Sequence, residues 1–506
     1  YISYLAANIV YSIYFHPLRH IPGPKITAAS RIPYIRHNLN GNAIPWLGKL
    51  HEKYGDIVRY TPNEISVISG DNSWQEIYGF RTGKSKNVGS FEKDRAWYAP
   101  GAGGVPSVII AHGSEHGRQR KVLSHAFSDR ALREQEGLIQ GYVDLLISRL
   151  TDVSTSDTAR LGAAEDGYDK SGNVDLCTWY NWTTFDVIAD LVFGEPFGCL
   201  ADMHTHSWVS LMLESMPGLA LFYVKAYWPW AKHFGNLIIN QNMLRKRFEF
   251  GQWLRVKTRA RIAMDTQRPD FITAILEHSK DRGQGPDSEL TEDQLVSNVA
   301  LFLIAGTETS ATTLSSASSL LLRHPDVYQK LKDEIRGSFK SESEITIEAV
   351  SRLEYLLAVL HEALRYLPPV PQGFVRKVPS TGAEVMGWHI PGNGDASISV
   401  NQYLANHSPE NFTDPDKFVP ERWLSNKPDR YKNDNFGIVQ PFSFGPRNCL
   451  GKNLAYAELR LIMSKMVFNF DFHLDPRSKD WEEKLQHSTL WMRPALWVRL
   501  SPAARP

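Results

Sequence analysis

Cys449 is the residue of this chain whose neighbours favour chemistry most strongly. It lies in the run from Phe442 to Gly451 (FSFGPRNCLG), where a single thiol stands between two glycines and close to Arg447. The run leads into a helix-like stretch, Leu454 to Phe470. A thiol ahead of a helix N-terminus and beside positive charge is expected to favour its thiolate form. Because thiolate sulfur is one of the few protein ligands that hold haem iron, the run predicts a metal ligand at Cys449.

The same run fits the pattern F-x-x-G-x-R-x-C-x-G at every fixed position. It resembles the haem-binding loop of the cytochrome P450 family, the haem-thiolate monooxygenases. The resemblance implies that Cys449 is the axial ligand of haem b. It also implies that Arg447 pairs with a haem propionate and that Phe442 shields the sulfur from water. Gly445 and Gly451 would let the backbone approach the sulfur and the porphyrin where a Cβ would clash.

A long helix is predicted from Leu290 to Arg323, more than thirty residues against a mean of about 11–12 in globular proteins. Thr291 and Gln294 form a capping box at its start. Apolar residues recur along it, and His324-Pro325 closes it.

The middle of this helix reads Ala305-Gly306-Thr307-Glu308-Thr309. The glycine and the threonines predict weaker backbone pairing here, which would leave room for dioxygen and water. Glu308 and Thr309 form an acid–alcohol pair able to relay protons. Taken alone, the segment is more typical of an exposed acid beside helix-facing threonines. It matches the family's oxygen-activation pattern A/G-G-x-D/E-T, so the resemblance implies catalytic roles for Glu308 and Thr309 and haem contacts for Ala305 and Gly306.

Glu362 and Arg365 stand three residues apart, on one face of a predicted helix. Alone, such a pair indicates a surface salt bridge worth less than ~1 kcal/mol. The segment Pro420-Glu421-Arg422-Trp423 supplies a second arginine. In the family these two segments build a buried triad behind the haem loop, which here would be Glu362, Arg365 and Arg422. The triad would position the loop, and losing one member would cost roughly 3–5 kcal/mol.

Three further residues are implied to contact the haem propionates. The family often carries W-x-x-x-R at the position of His116 and Arg120, and this chain departs from it by having His116 in place of tryptophan. An imidazole can still donate a hydrogen bond to a carboxylate. Arg376, after a proline-rich turn, resembles another propionate ligand. The alternative for each of the three is a solvated surface residue.

Composition restricts the class of protein and its compartment. No linker, repeat or long charge run divides the 506 residues, which favours one large domain. The net charge of +1, without a concentrated basic block, argues against nucleic acid as a partner. Three cysteines, Cys177, Cys199 and Cys449, cannot form a disulfide framework, so a reducing compartment is expected.

The first 25 residues predict attachment to a membrane. The chain starts at Tyr1 rather than Met, so we expect the natural start to be missing. Residues 1–15 are apolar but too short for a span of about 20 residues. They are either the end of an N-terminal membrane anchor or an ordinary hydrophobic helix. Residues 16–25 form a stiff, proline-rich, mildly basic connector. It favours the anchor, with residues 26–506 as the haem domain on the cytoplasmic face of the endoplasmic reticulum.

The predicted fold is mainly α with a minor β-sheet region: one large helical haem domain of cytochrome P450 type, with a long central helix over the haem. Two β regions are expected, residues 57–69 and residues 385–400. The substrate pocket should be apolar and suit a hydrophobic small molecule. By family position its lining would be residues 100–110, 213–234, 302, 305, 370–374 and 488–491.

The resulting hypothesis is a monooxygenase that activates dioxygen to oxidise a hydrophobic small molecule, by hydroxylation, epoxidation, desaturation or coupling. The chain resembles fungal, membrane-bound members of secondary metabolism. Since it carries no nicotinamide or flavin motif, electrons would come from NADPH through a separate reductase that docks near Lys121, Arg133 and Lys452. Two alternatives remain: an electron-independent haem-thiolate isomerase or dehydratase, and a non-catalytic haem binder. Thr309 argues against both.

Overall fold

The fold is mainly helical, as predicted. The computed structural model of the protein describes residues 2–82, 89–98, 104–155, 167–215, 223–224, 226–228, 241–264, 268–281, 289–487 and 489–503. Among these residues the α-helices are Ile2–Val10, Lys25–Ala29, Ile32–Leu39, Ala43–Tyr54, Ser73–Tyr78, Gly113–Leu123, Asp129–Thr155, Leu176–Phe193, Cys199–Asp202, Ser207–Ser215, Gln241–Ala263, Phe271–Asp281, Glu292–Arg323, Pro325–Ser338, Ile347–Val350, Glu354–Tyr366, Gln402–Asn406 and Lys452–Asn469.

The strands are short and belong to four small sheets within the described residues. They are β1 (Ile57–Thr61), β2 (Glu64–Val67), β3 (Glu92–Lys93), β4 (Asn173–Asp175), β5 (Arg376–Lys377), β6 (Ala383–Val385), β7 (Trp388–Ile390), β8 (Ser397–Val400), β9 (Phe470–Leu474), β10 (Gln486–His487), β11 (Trp491–Met492) and β12 (Trp497–Pro502). The largest sheet has the order β1-β2-β8-β5-β3, in which β2 and β8 run parallel. The first predicted β region is the β1–β2 hairpin. The second divides between the β6–β7 hairpin and β8, which joins the large sheet.

The helix Glu292–Arg323, here the central helix, has the predicted capping box of Thr291 and Gln294. It begins two residues later than predicted. Most of its side chains are buried all round, which places it inside the main hydrophobic cluster. Small residues allow close packing against the helix Leu176–Phe193. A Cβ on Gly306, for example, would lie 3.0 Å from Ile188 Cδ1.

The N-terminal segment packs on the domain. The helix Ile2–Val10 continues into a π-helix, Tyr11–Phe15. Within the predicted connector, Leu18 and Ile21 are buried in the cluster that surrounds the large sheet. The described part of the chain contains no helix that is long and apolar enough to cross a bilayer.

Candidate active site

The loop that carries Cys449 is held by its own backbone and leads into the helix Lys452–Asn469, here the proximal helix. The Cys449 N–H donates to the carbonyl of Phe442 over 2.8 Å. The thiol has exposed surface. Burial nevertheless raises its pKa, against the Gly451 backbone N–H and the charges of Arg120 and Lys452, which lower it. The sulfur is therefore accessible on one side, and protein atoms pack densely around the rest of the residue. The expectation of a favoured thiolate is wrong for the protein by itself, because burial outweighs the nearby positive charge.

The two glycines of the loop differ in what they make possible. Gly445 has a φ of +71°, and a Cβ there would lie 2.1 Å from the carbonyl oxygen of Tyr78. Its neighbour is thus the backbone of the helix Ser73–Tyr78 rather than the sulfur. A Cβ on Gly451 would meet only the ring of Phe127, at 3.8 Å. The ring of Phe442 packs on Tyr456 with centroids 5.0 Å apart.

The segment from Ala305 to Thr309 stays α-helical, so the predicted weakening of backbone pairing does not interrupt the helix. The threonine hydroxyl does compete for a carbonyl as expected: Thr309 Oγ1 donates to Ala305 O over 2.7 Å. Ala305 is exposed although most of the central helix is buried. Small side chains therefore open one face of the helix at this point. Gly306 instead faces Ile188.

Glu308 is buried and lies in an ion pair that sequence reasoning missed. Its Oε2 accepts from Arg493 Nη2 over 3.0 Å, and its Oε1 has no hydrogen-bond partner among the described residues. Arg493 also donates to Asn181 Oδ1 over 3.0 Å and to Ser315 Oγ over 3.2 Å. The acid is therefore bound to the C-terminal segment, and no hydrogen bond to Thr309 is present among the described residues. The partners stand 185 positions apart, and no local motif connects them.

Basic side chains gather beside the thiol loop. His116 is 8% exposed, and its pKa falls to about 3 because of burial first and then the charges of Arg447, Arg120, Arg376 and Lys93. The structure thus brings all the predicted propionate ligands together, and it adds Lys93. Of these basic residues, only Arg447 forms an ion pair with a described carboxylate, that of Glu92.

The arginines of this group have different partners. Arg120 Nη1 donates to Asn448 O over 2.7 Å, and its Nη2 binds Asn448 Oδ1, so it fastens the residue next to Cys449. Arg447 Nη1 donates to Ala111 O over 2.8 Å. Arg376 is buried, and its Nε and Nη1 have no partner among the described residues. Buried donors without acceptors are expensive, which indicates a site for an anionic ligand.

The predicted triad forms, within a larger network. Glu362 Oε1 lies 2.8 Å from Arg365 Nη2 and 3.1 Å from Arg422 Nε, and all three side chains are fully buried. Asp434 pairs with Arg422 as a fourth member. Trp423 Nε1 donates to Glu362 Oε2 over 2.8 Å. Burial alone would raise the pKa of Glu362, but Arg365 and Arg422 hold it below its usual value.

These residues fit a haem. One thiol on an enclosed surface can serve as axial donor. Several cations next to it, among them the unpartnered nitrogens of Arg376, match the two carboxylates of the porphyrin edge. A helix with small residues at Ala305 and Gly306 can lie close to a flat ring. A mainly helical domain with this donor set defines a haem-thiolate protein.

Comparison with known sequences places the chain within that class. Residues 30–497 match the cytochrome P450 family. Cytochrome P450 monooxygenase traB of Penicillium crustosum is 47% identical over 505 residues, 100% of this chain and 96% of that protein. Cytochrome P450 monooxygenase lcsI of Purpureocillium lilacinum is 41% identical, with 99% and 93% covered. Averantin hydroxylase of Dothistroma septosporum is 37% identical, with 98% and 89% covered.

The chain belongs to the cytochrome P450 family. It is a haem-thiolate monooxygenase whose cofactor is haem and whose electrons come from NADPH through a separate reductase. The fold and the cofactor predicted from the sequence are thereby confirmed.

Proposed function

We propose that this protein oxidises a hydrophobic small molecule of fungal secondary metabolism, with Cys449 as the axial ligand and Glu308 and Thr309 as the proton-delivering residues. The observation that carries the proposal is the group of incompletely neutralised cations next to a single thiol that has exposed surface. The haem, when bound, supplies dioxygen binding and O–O cleavage.

Thr309 is the residue that would hold a proton toward the reacting oxygen. Its hydroxyl donates to Ala305 O, so it has to rotate away from this carbonyl before it can donate elsewhere. Glu308 is the acid that would return a proton to it. The ion pair with Arg493 keeps the Glu308 carboxylate in place, and a rotamer change of Glu308 would bring it toward the exposed face of the helix.

The substrate pocket is proposed to be apolar. Parts of its predicted lining, residues 100–103, 216–222, 225, 229–234 and 488, lie outside the described residues. Of the rest, Phe302 packs on Phe127 with centroids 5.3 Å apart and on Phe271 at 5.9 Å, and it is buried in the main cluster. Ala305 is the lining residue of the central helix with an exposed surface. A small side chain there leaves room for a bulky substrate.

The reductase is proposed to dock over the start of the proximal helix. Lys121, Arg133 and Lys452 are all exposed. Lys452 is the first residue of the proximal helix, and its Nζ lies 5.9 Å from the ring of Phe442. Positive charge at this face would attract an acidic partner and speed association at low salt.

Attachment to the endoplasmic reticulum membrane, with the haem domain on the cytoplasmic side, is proposed from the N-terminal segment. Seven of its large apolar side chains are exposed: Tyr4, Leu5, Ile9, Val10, Tyr11, Tyr14 and Phe15. Lys25 lies next to this group, with its Nζ 5.6 Å from the ring of Tyr14. Aromatic rings beside a basic residue are typical of a membrane interface. Replacing Tyr11, Tyr14 and Phe15 with serine should reduce binding to vesicles, whereas serines at the exposed Phe248 and Val256 should not.

The absorption of the reduced, carbon-monoxide-bound protein tests the main proposal. A red-shifted Soret band is expected, and Cys449→Ala should abolish it. Thr309→Ala should keep the band and divert electrons into hydrogen peroxide. Cys449→Ala with an unchanged band would overturn the assignment of the ligand. NADPH consumption that depends on a reductase separates a monooxygenase from an isomerase, and a mass gain of one oxygen in a candidate metabolite identifies the substrate.

A further inference from the structure

Lys93 is a buried basic residue that has no part in the proton delivery proposed for Glu308 and Thr309. It is 5% exposed, and it lies on β3 directly opposite Arg376 of β5 in an antiparallel pair. Arg376 is 1% exposed. Opposite residues of an antiparallel pair project from the same face of the sheet. Two buried basic side chains are therefore neighbours across the strands, and burial together with the charges of Arg376 and Arg447 lowers the pKa of Lys93 well below its usual value.

Like charges in this arrangement are unfavourable. The next pair along the same two strands, Glu92 and Lys377, carries opposite charges, as is usual. Lys93 and Arg376 have no ion pair with any described carboxylate. The nearby carboxylate of Asp94 is taken, because it accepts from Ser397 Oγ and lies 3.9 Å from Lys377 Nζ.

Aromatic and hydroxyl groups hold the two cations instead. Lys93 Nζ donates to Tyr98 OH over 3.1 Å and lies 4.2 Å from the ring centroid of Tyr98 and 5.2 Å from that of Phe374. The guanidinium of Arg376 lies 5.2 Å from the ring of Tyr78. Rings position a cation but do not neutralise it. An anion on this face of the sheet would remove the repulsion.

We propose that Lys93 is a haem propionate ligand, paired across the strands with Arg376. The same cluster includes Arg447, which leads into the thiol loop two residues before Cys449. Two propionates carry two negative charges. Since Arg447 is paired with Glu92 and the half-buried Arg120 is bonded to Asn448, Lys93 and Arg376 are the two fully buried basic residues left to meet them. The inference rests on the haem site and not on the roles of Glu308 and Thr309.

Haem transfer from the holoenzyme to a high-affinity haem-binding acceptor protein tests this role. Lys93→Met should speed the transfer at least about tenfold, since a hydrogen bond to a charged group contributes about 1.5–3 kcal/mol. Lys93→Arg keeps the charge and should stay within about threefold of the unaltered protein. Lys377→Met, the neighbour of Arg376 on the same strand, is the matched control and should change the rate less than about twofold. Lys93→Met should also lower the reduction potential of the iron, because a positive charge is lost.

A second arm changes the cofactor rather than the chain. In haem dimethyl ester the propionates carry no charge, so Lys93→Met and the unaltered protein should lose this cofactor at the same rate. Where Met lowers the yield of folded protein, Lys93→Gln takes its place. Equal acceleration of haem and haem dimethyl ester loss, or equal effects of Lys93→Met and Lys377→Met, would overturn the inference. The red-shifted carbon-monoxide band should persist in Lys93→Met. Its absence from the unaltered protein would overturn the thiolate ligand instead.

Discussion

Two groups of buried charges flank the thiol loop, and they are built differently. The network of Glu362, Arg365, Arg422 and Asp434 contains two acids and two bases, and each arginine is ion-paired. The group around His116 contains Lys93, Arg120, Arg376 and Arg447 but, among the described residues, only the carboxylate of Glu92 is ion-paired with it. A neutral, saturated network stabilises the fold. A network with more cations than carboxylates is suited to bind an anion. The balance of charges within each group therefore distinguishes the structural residues from the binding residues.

The largest effect should come from breaking the balanced network. Glu362→Gln leaves two buried arginines with one acid, so the free energy of unfolding should fall by roughly 3–5 kcal/mol. Denaturant unfolding and the soluble yield measure this. Arg352→Met breaks an exposed pair with Glu348 and is the control, with a change within about 0.5 kcal/mol. An equal loss in both variants would contradict the distinction.

Removing a cation from the unbalanced group should not lower the free energy of unfolding of the haem-free chain. Arg376→Met relieves repulsion between buried like charges, so the free energy of unfolding should stay unchanged or rise by about 1 kcal/mol. The haem-loaded protein should instead lose stability, because a propionate loses its partner. Parallel denaturant curves of the two forms test the difference. Destabilisation of the haem-free chain would show that Arg376 has a structural role.

Arg493 and Glu308 form a third kind of group, a balanced pair next to the site. Arg493→Met should leave the carbon-monoxide band intact but let Glu308 take other positions. The fraction of NADPH electrons released as hydrogen peroxide should then rise severalfold, because the acid that delivers protons is no longer held in place. Arg499→Met, an exposed arginine on β12, is the control. If the fraction of electrons released as hydrogen peroxide is unchanged in Arg493→Met, the ion pair has a structural role only.

Replacing the exposed cations near the start of the proximal helix should have a smaller effect, on reductase binding, and high salt should remove it. Lys452→Glu should raise the reductase concentration needed for half-maximal rate severalfold at low ionic strength, and much less at high ionic strength. Lys246→Glu, an exposed lysine on the helix Gln241–Ala263, should leave it unchanged. Equal effects at both salt concentrations would argue against docking by charge.

The smallest effect concerns acid stability. In the folded chain the pKa of His116 is about 3, below its ordinary value of 6.5. Between these values the unfolded chain binds a proton that the folded chain does not, so stability falls as the pH drops from 6.5 to 3. His116→Gln should flatten this part of the profile in the haem-free chain. Melting temperatures at pH 5 and pH 7.5 measure it, and an unchanged slope would exclude His116 as the source.

Local patterns were sufficient to predict the parts of the molecule that one segment builds alone. The capping box at Thr291 fixed the start of the central helix to within two residues. The helix predicted after the Cys449 loop, Leu454 to Phe470, is the helix Lys452–Asn469. The i, i+3 spacing of Glu362 and Arg365 placed both side chains in one pair. These features depend on backbone geometry over a few residues.

Pairings between distant segments could not be read in the same way. Arg493 meets Glu308, Asp434 meets Arg422, and Lys93 meets Arg376 because folding brings separate elements together. A strand of two residues such as β3 is too short to show a periodic pattern that would predict its partner strand or its register. The direction of the Cys449 pKa was missed for a related reason, since burial depends on the whole fold.

The packing of residues 16–25 decides how far the chain can be shortened. The Arg59 N–H donates to Pro22 O over 2.7 Å, and a Cβ on Gly23 would lie 2.3 Å from Arg59 O. Leu18 and Ile21 share a cluster with strands of the large sheet. A more soluble version of the enzyme that lacks the exposed apolar start must therefore keep the chain from His16 onward. Trimming to residue 26 would remove Leu18 and Ile21 from this cluster together with the rest of the connector.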